Sequence, residues 1–122
     1  MVMMQTNLKL IESAQKVQVW SRKILDKAPL TALQREDLLA IYDASDQFVR
    51  YATDHTAVIM AEIGDEAKRE VRHQLGNYLN VIIGFSQLLV KELPDNLLLH
   101  MAIIRQISQT GEHLRQQVDA IR

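Results

Sequence analysis

Residues 71–89 read VRHQLGNYLNVIIGFSQLL, and the apolar side chains in this stretch follow a helical rhythm. Steps of four and three residues alternate along the positions Val71, Leu75, Tyr78, Ile82, Phe85 and Leu89. This spacing places the six side chains on one face of an α-helix and is typical of a helix that packs within a bundle. The stretch therefore predicts a long amphipathic helix with a buried seam.

The same rhythm continues in the segments on either side. It includes Leu10, Ala14, Val17, Trp20 and Ile24, then Leu38, Ile41, Ser45, Phe48, Ala52, His55 and Ile59, and finally Leu97, Met101, Ile104, Ile107, Leu114, Val118 and Ile121. Thr31 and Gln34 fit a capping box, Gly64 suits a helix end, and Asp95 after Pro94 suits an N-cap. We predict four helices, at about 6–27, 32–63, 66–92 and 96–121.

Composition narrows the class of protein. The chain has 122 residues, which suits one domain, and its 14 basic and 15 acidic residues give a formal net charge of −1. Neither a nucleic-acid surface nor a polybasic membrane tether is expected. The chain has no cysteine, no signal-peptide pattern and no run near the ~18 apolar residues of a membrane span. We expect a cytoplasmic protein with neither nucleic acid nor membrane as a partner.

A weak internal repeat suggests how the helices are arranged. Trp20-Ser21 aligns with Phe85-Ser86 at one offset, and Ile41 aligns with Ile104 at an offset two residues shorter. The likeness is equally well a coincidence among helices rich in leucine and isoleucine. In either case, the sequence predicts an all-α, antiparallel up-and-down four-helix bundle. Its two helical hairpins are residues 1–63, the first hairpin, and residues 64–122, the second hairpin.

The second hairpin also carries a motif. His73-Gln74-Leu75, Asn77 and Leu79-Asn80 precede Ile82-Ile83-Gly84-Phe85-Ser86 and Leu88-Leu89. This pattern resembles the phosphoacceptor helix of the dimerisation and histidine phosphotransfer (DHp, or HisKA) domain of sensor histidine kinases. After a loop with a proline, Ile103-Ile104 and Gly111-Glu112-His113-Leu114 resemble the second helix of that family. The resemblance covers about residues 68–121 of the chain.

The resemblance implies roles for three residues. His73 would be the phosphoacceptor, and Asn77, four residues later, would orient water for dephosphorylation of a bound receiver domain. Gln74 stands where the family has an acidic residue, so it cannot act as a base and is expected to hold the imidazole by a hydrogen bond. Tyr78 replaces the family's proline, so the helix kink expected there is in doubt.

The heptad pattern gives a separate reason to consider His73. With Val71 and Tyr78 at d positions, His73 falls at f and should face solvent, where a partner's aspartyl phosphate can reach it. The alternative is a solvated surface histidine with no chemical role. His55 lies on a seam and is expected to be a hydrogen-bonded interior residue.

Several functions are not supported. The four glycines are scattered singly, so no ATP-binding loop is present and the chain is not expected to act as a histidine kinase on its own. His100 and His113 form no i, i+4 pair, so neither a metal nor another cofactor is expected.

Two functions stay open. One is a two-component phosphorelay module that exchanges a phosphoryl group with a response-regulator receiver through His73, or dephosphorylates that receiver. The other is a pseudo-phosphoacceptor bundle that serves only dimerisation or signal transmission. The resemblance implies a homodimer, whereas two hairpins in one chain also permit a single-chain pseudo-dimer. A fused output or ATP-binding domain is a further partner that the resemblance implies.

Overall fold

The computed structural model describes residues 2–62, 64–93 and 97–121, with side chains from Asn7 onward except that of Leu98. Five helices account for most of this part of the chain: α1 Val2–Lys27, α2 Ala32–Asp54, α3 Thr56–Met60, α4 Asp65–Glu92 and α5 Leu98–Asp119. The described residues contain no strand, so the prediction of an all-α fold is confirmed. None of the described helices is both long enough and apolar enough to cross a membrane.

The four long helices are neighbours in a closed ring. α1 packs against α2, α2 against α4, α4 against α5, and α5 against α1. The short α3 contacts α1, α2 and α4. Within the described residues α1 does not contact α4, and α2 does not contact α5. The α1/α5 groove and the α2/α4 groove therefore lie on opposite sides of the molecule.

One core fills the ring, because each long helix turns an apolar stripe inward. Its fully buried members include Leu10, Val17, Ile24, Leu38, Ile41, Phe48, Leu75, Leu79, Ile82, Leu89, Ile104, Ile107 and Leu114. Three serines lie among them, and Ser21, Ser45 and Ser86 each donate a hydrogen bond to a carbonyl oxygen of their own helix. These bonds satisfy the hydroxyl groups that the apolar surroundings leave without water.

The second predicted helix, 32–63, is wrong in its extent, because the helix is interrupted at His55. The hydroxyl of Thr56 donates to the carbonyl oxygens of Ala52 and Thr53, and the His55 ring nitrogen Nδ1 lies 2.8 Å from the Tyr51 carbonyl oxygen. The Thr56 hydroxyl engages acceptors that a continuous helix would offer to backbone N–H groups, whereas the Tyr51 carbonyl oxygen also accepts the backbone N–H of His55 at 3.0 Å. The result is α2 followed by the five-residue α3.

Two of the other predicted helix ends, at Thr31 and Gly64, are confirmed by the structure. Thr31 and Gln34 form a capping box in which each side chain bonds the other residue's backbone N–H, at 3.1 and 3.0 Å. Gly64 precedes α4 with φ at +116°, a left-handed conformation that glycine adopts without a Cβ clash. Asp95, the predicted N-cap of the last helix, lies outside the described residues.

The seam of α4 is shifted from the predicted one. Leu79 and Ser86 are fully buried, whereas Tyr78 and Phe85, predicted as core residues, are only half-buried against the core. The reason is that α4 packs against two neighbours, so its buried arc is broader than a single heptad stripe. Tyr78 lies on the flank that faces α2, where its ring meets the edge of Tyr51 at a centroid distance of 6.1 Å.

The pattern of buried residues in α1 recurs in α4 at the 65-residue offset of the sequence repeat. Positions 65 residues apart in α1 and α4 are buried alike: Leu10 and Leu75, Ala14 and Leu79, Val17 and Ile82, Ser21 and Ser86, Ile24 and Leu89, Ala28 and Leu93. Trp20 and Phe85, which also align, are both half-buried. Helices α1 and α4 therefore present equivalent faces to the core.

Candidate functional site

The candidate site lies at the start of α4, where this helix meets the end of α5. An open groove of about 540 Å³ lies there, lined by Glu66, Arg69, Glu70, Arg72, His73 and Asp119. All but Asp119 belong to the first turns of α4, and Asp119 is the last residue of α5. The groove therefore depends on the packing of α5 against α4.

A hydrogen bond joins the two helix ends at this groove. The guanidinium of Arg72 donates a hydrogen bond of 2.6 Å to the backbone carbonyl oxygen of Ile121. A positively charged group that donates to a carbonyl oxygen near the C-terminal end of a helix also interacts favourably with the negative end of the helix dipole. Arg72 thus holds the end of α5 beside His73.

The side chain of His73 is exposed, as its heptad position predicts. Within the described residues, its imidazole makes no hydrogen bond. Asn77 is also exposed, and four residues along a helix places it one turn away on the same outer face. The ring nitrogens are therefore accessible from solvent and from a docked protein.

The outer stripe beyond Asn77 is polar and connects α4 to α5. The Arg115 guanidinium donates to the side-chain oxygen of Asn80, and the Gln87 amide donates to Glu112 at 3.2 Å. These contacts cross the α4/α5 boundary on the surface that continues from His73. The two helices together present one largely polar face.

Gln74 does not take the position expected of it. Its amide nitrogen donates a hydrogen bond of 2.8 Å to the Tyr78 hydroxyl, on the flank of α4 that faces α2. The expectation that Gln74 holds the imidazole of His73 by a hydrogen bond is therefore wrong in this structure. Adjacent residues lie about 100° apart around a helix, so a side chain drawn toward α2 points away from the groove with α5.

An aromatic group continues from Tyr78 into α2. The ring of Tyr51 stacks on His55 with a centroid distance of 3.9 Å and an interplanar angle of 18°. Burial raises the pKa of the Tyr51 phenol above its ordinary value of 10.0, and Glu70 and Tyr78 add to the rise. His55 is half-buried and bonded to the Tyr51 carbonyl oxygen, which agrees with its prediction as a satisfied histidine.

The charges around His73 are mixed. Two guanidinium groups, of Arg69 and Arg72, lie in the groove with the carboxylates of Glu66, Glu70 and Asp119. The guanidinium groups can attract a phosphoryl oxygen, and the carboxylates can accept the proton of an imidazole N–H. The described residues contain no group of three or more His, Asp or Glu side chains placed to hold a metal ion.

Sequence reasoning did not identify Asp119 and Glu70 as groove residues. Asp119 is 46 residues away from His73 in the chain, and only the packing of α5 against α4 brings it to the groove. Glu70 lies three residues before His73, a spacing that places two side chains on one helix face. That spacing was a usable signal, because it supplies a carboxylate near the imidazole where Gln74 has none.

Comparisons with protein-family models, with curated proteins and with solved structures find no match for this chain.

Proposed function

We propose that this chain is a two-component signalling module that exchanges a phosphoryl group with a response-regulator receiver domain through His73, or dephosphorylates that receiver. The observation that carries the proposal is the exposed imidazole of His73, free of hydrogen bonds among the described residues, in a groove with two guanidinium groups. The resemblance of residues 71–89 to a phosphoacceptor helix supports the same function.

The transfer step requires a neutral imidazole. A ring nitrogen of His73 attacks the phosphorus of the receiver's aspartyl phosphate, and a P–N bond forms as the P–O bond to the aspartate breaks. The aspartate leaves as a carboxylate with the electron pair of that bond. Arg69 is exposed and can pair with the phosphoryl oxygens, whose charge spreads during transfer.

The second ring nitrogen of His73 carries the proton during this step. A carboxylate that accepts a hydrogen bond from this N–H stabilises the positive charge that develops on the imidazole. Glu70 and Asp119 line the groove and can serve in this way, whereas Gln74 is bonded to Tyr78. We assign this positioning role to the groove carboxylates and not to Gln74.

Asn77 supports the hydrolytic direction. Its exposed amide, one helical turn beyond His73, can accept a hydrogen bond from a water molecule that attacks the receiver's aspartyl phosphate. The products are inorganic phosphate and the free aspartate. This reaction does not require a covalent bond to His73.

The architecture that we propose for this function is an antiparallel up-and-down four-helix bundle made by one chain. The closed ring of α1, α2, α4 and α5 supports it, as does the burial of equivalent positions in the two hairpins. Because α1 and α2 cover the apolar stripes of α4 and α5, the second hairpin does not need a second copy to bury its seam. The proposed module is therefore a single-chain pseudo-dimer with one phosphoacceptor.

A second candidate function is a structural bundle in which His73 has no chemical role. The position of Gln74 favours it, because the residue next to the imidazole takes part in packing against Tyr78 and not in the groove. The two candidates differ in whether the chain takes a phosphoryl group from a receiver domain or dephosphorylates it.

The test is phosphoryl transfer from a panel of phosphorylated receiver domains to the wild-type chain and to His73→Ala, Asn77→Ala and His113→Ala. His113 is an exposed histidine of α5 and serves as the matched control. We expect acid-labile label on the wild type, Asn77→Ala and His113→Ala, and none on His73→Ala. Equal helicity of all four proteins is required, since an exposed position contributes little to the core.

Two other outcomes are informative. Loss of phosphate from the receiver with wild type, but not with Asn77→Ala, and without label on the chain would assign only the phosphatase function. Receivers that keep their phosphate in every mixture would refute the proposal and leave the structural bundle.

A further inference from the structure

The two arginines of the His73 groove differ in what they contact. Arg72 is half-buried and donates to the carbonyl oxygen of Ile121 at 2.6 Å. Arg69 is exposed and makes no hydrogen bond or ion pair with another described residue. The two are three residues apart in α4, so their side chains lie on neighbouring parts of one helix face. The groove therefore holds one arginine that is available to a phosphoryl group and one that is already engaged.

The residue that Arg72 contacts is anchored in the core. Ile121 is 5% exposed and belongs to the hydrophobic core. Its backbone N–H donates to the Val118 carbonyl oxygen at 3.0 Å, and the N–H of Ala120 also bonds to carbonyl oxygens of the last turn of α5. These bonds hold the backbone that follows Asp119, the last residue of α5. The hydrogen bond from Arg72 thus ties the start of α4 to a segment that is itself bonded to α5.

Asp119 occupies a position that the helix dipole does not favour. A carboxylate in the last turn of a helix lies at the negative end of the dipole, where a cation is preferred. Helix α5 has no basic residue in its last turn. The positive charges at this end come from α4, as Arg69 and Arg72 of the groove. Helix stability therefore gives no reason for a carboxylate at Asp119, whereas the groove with His73 does.

The carboxylates of Glu70 and Asp119 reach the groove from different helices. Glu70 lies three residues before His73, which places the two side chains about 60° apart around α4. The charge of Glu70 also acts toward α2, because burial and then Glu70 raise the pKa of the Tyr51 phenol. Asp119 comes from α5, which packs against the other flank of α4. Of the two carboxylates, only that of Asp119 depends on how the end of α5 is held.

We propose that Arg72 is a positioning residue, which acts on phosphoryl transfer through Asp119 and not by contact with the phosphoryl group. Its hydrogen bond to Ile121 fixes the end of α5, and Asp119 accepts a hydrogen bond from the imidazole N–H of His73 as the phosphoryl group arrives. The proton stays on that nitrogen, while the other ring nitrogen forms the P–N bond and the receiver's aspartate leaves with the electron pair of the P–O bond. Arg69 pairs with the phosphoryl oxygens. This inference rests on the proposed function, because it concerns the geometry of the same site.

The position of Asp119 matters because the imidazole of His73 becomes positively charged during transfer. A carboxylate that is already in place stabilises this charge without reorganisation, whereas a carboxylate on a loosened helix end must first be brought to the ring. Removal of Arg72 and removal of the Asp119 carboxylate therefore abolish the same contribution to the rate. Two changes that abolish one contribution do not add when they are combined.

The test is a double-mutant cycle on the rate of transfer from a receiver domain that labels the wild-type chain. The variants are Arg72→Gln, Asp119→Asn and the two changes together. We expect each single change, and also the pair, to lower the maximal rate about tenfold, where independent effects would multiply to about a hundredfold. The receiver concentration at half-maximal rate should stay unchanged, whereas a loosened α5 that disturbs docking would raise it.

Other residues of the groove supply matched controls. Arg69→Gln removes the arginine assigned to the phosphoryl oxygens, so its effect should multiply with that of Asp119→Asn. Glu70→Gln removes the carboxylate that α4 itself supplies, so its effect should multiply with that of Arg72→Gln. The conservative variant Arg72→Lys keeps a donor for the carbonyl oxygen of Ile121 and should recover most of the rate.

Amide hydrogen exchange of the full chain measures the attachment of α5 without any phosphoryl donor. In Arg72→Gln the backbone N–H groups of Ala120 and Ile121 should exchange faster than in wild type, because the segment that they fix has lost its tie to α4. Arg69→Gln and Asp119→Asn should keep the wild-type exchange rates at both positions. Unchanged exchange in the middle of α5 shows that each variant is folded.

Three results would overturn the inference. Multiplied effects of Arg72→Gln and Asp119→Asn would show that Arg72 acts on the phosphoryl group directly. Unchanged exchange of Ala120 and Ile121 in Arg72→Gln would show that this arginine does not hold the end of α5. Both results leave the proposed function intact, whereas a wild-type chain that takes no label from any receiver would refute the transfer reaction and the inference together.

Discussion

Gly111 of α5 tests how closely α5 approaches α4. A Cβ atom at this position would lie 2.8 Å from Cγ1 of Ile83 and 3.4 Å from Cγ2 of Ile82, both on α4. The χ1 angle of isoleucine is restricted in a helix, so Cγ1 of Ile83 cannot step aside without cost. Gly84, in the middle of α4, offers the opposite case, because a Cβ there meets nothing within 4 Å.

The two substitutions to alanine should therefore differ in sign. Replacement of a helical glycine by alanine stabilises by about 1 kcal/mol through propensity alone, and Gly84→Ala should gain this amount. At Gly111 the overpacked methyl group costs about 1–3 kcal/mol, so the net effect is a loss of about 1 kcal/mol. The free energies of unfolding of the two variants should differ by about 2 kcal/mol.

Urea unfolding followed by circular dichroism measures this difference. Both variants should keep the wild-type dependence of the free energy on urea concentration, so that the midpoints alone report stability. If Gly111→Ala is as stable as Gly84→Ala, α5 does not lie against Ile83 as the structure shows. The packing that brings Asp119 to His73 would then be in question as well.

Three further outcomes follow from the core, the capping box and the aromatic group. Phe48→Ala should lose about 3–5 kcal/mol, because this side chain is fully buried, whereas the control Leu99→Ala, at a position 82% exposed, should stay within about 0.5 kcal/mol in the same unfolding assay. Thr31→Ala removes a capping-box partner and should cost about 1 kcal/mol in urea, and no change would show that α2 does not need the cap. The pKa of Tyr51 is raised in the folded chain, so the folded state retains this proton longer than the unfolded state. The free energy of unfolding should therefore fall as pH rises above 10.0, and Tyr51→Phe should reduce that slope; an unaltered slope would contradict the assignment.

The periodic apolar pattern was sufficient for the helical class and for most helix ends. It failed at the end of α2, where the Thr56 hydroxyl competes with the backbone for the carbonyl oxygens of Ala52 and Thr53. The pattern also predicted the buried seam of α4 one residue too early, at Tyr78 and Phe85 in place of Leu79 and Ser86. A single heptad stripe does not cover the buried arc of a helix that packs against two neighbouring helices.

For the candidate site, the sequence was informative about exposure and not about contacts. The heptad position of His73 predicts its exposure, because that property depends only on the helix to which it belongs. The presence of Asp119 in the groove depends on which helices become neighbours. The hydrogen bond from Gln74 to Tyr78 joins residues four apart on one helix, whereas the position of Asp119, 46 residues from His73, is a tertiary fact that local spacing does not encode.

The proposed histidine groove occurs once per chain, because one chain supplies all four long helices of the ring. In a dimer of identical hairpins, every residue on one half is repeated on the other, so a phosphoacceptor and any docking surface would each appear twice. Here the position that aligns with His73 is Leu8, and the one that aligns with Gln74 is Lys9. Because the two halves are encoded separately, the second half of the chain can carry the histidine groove without repeating it in the first half.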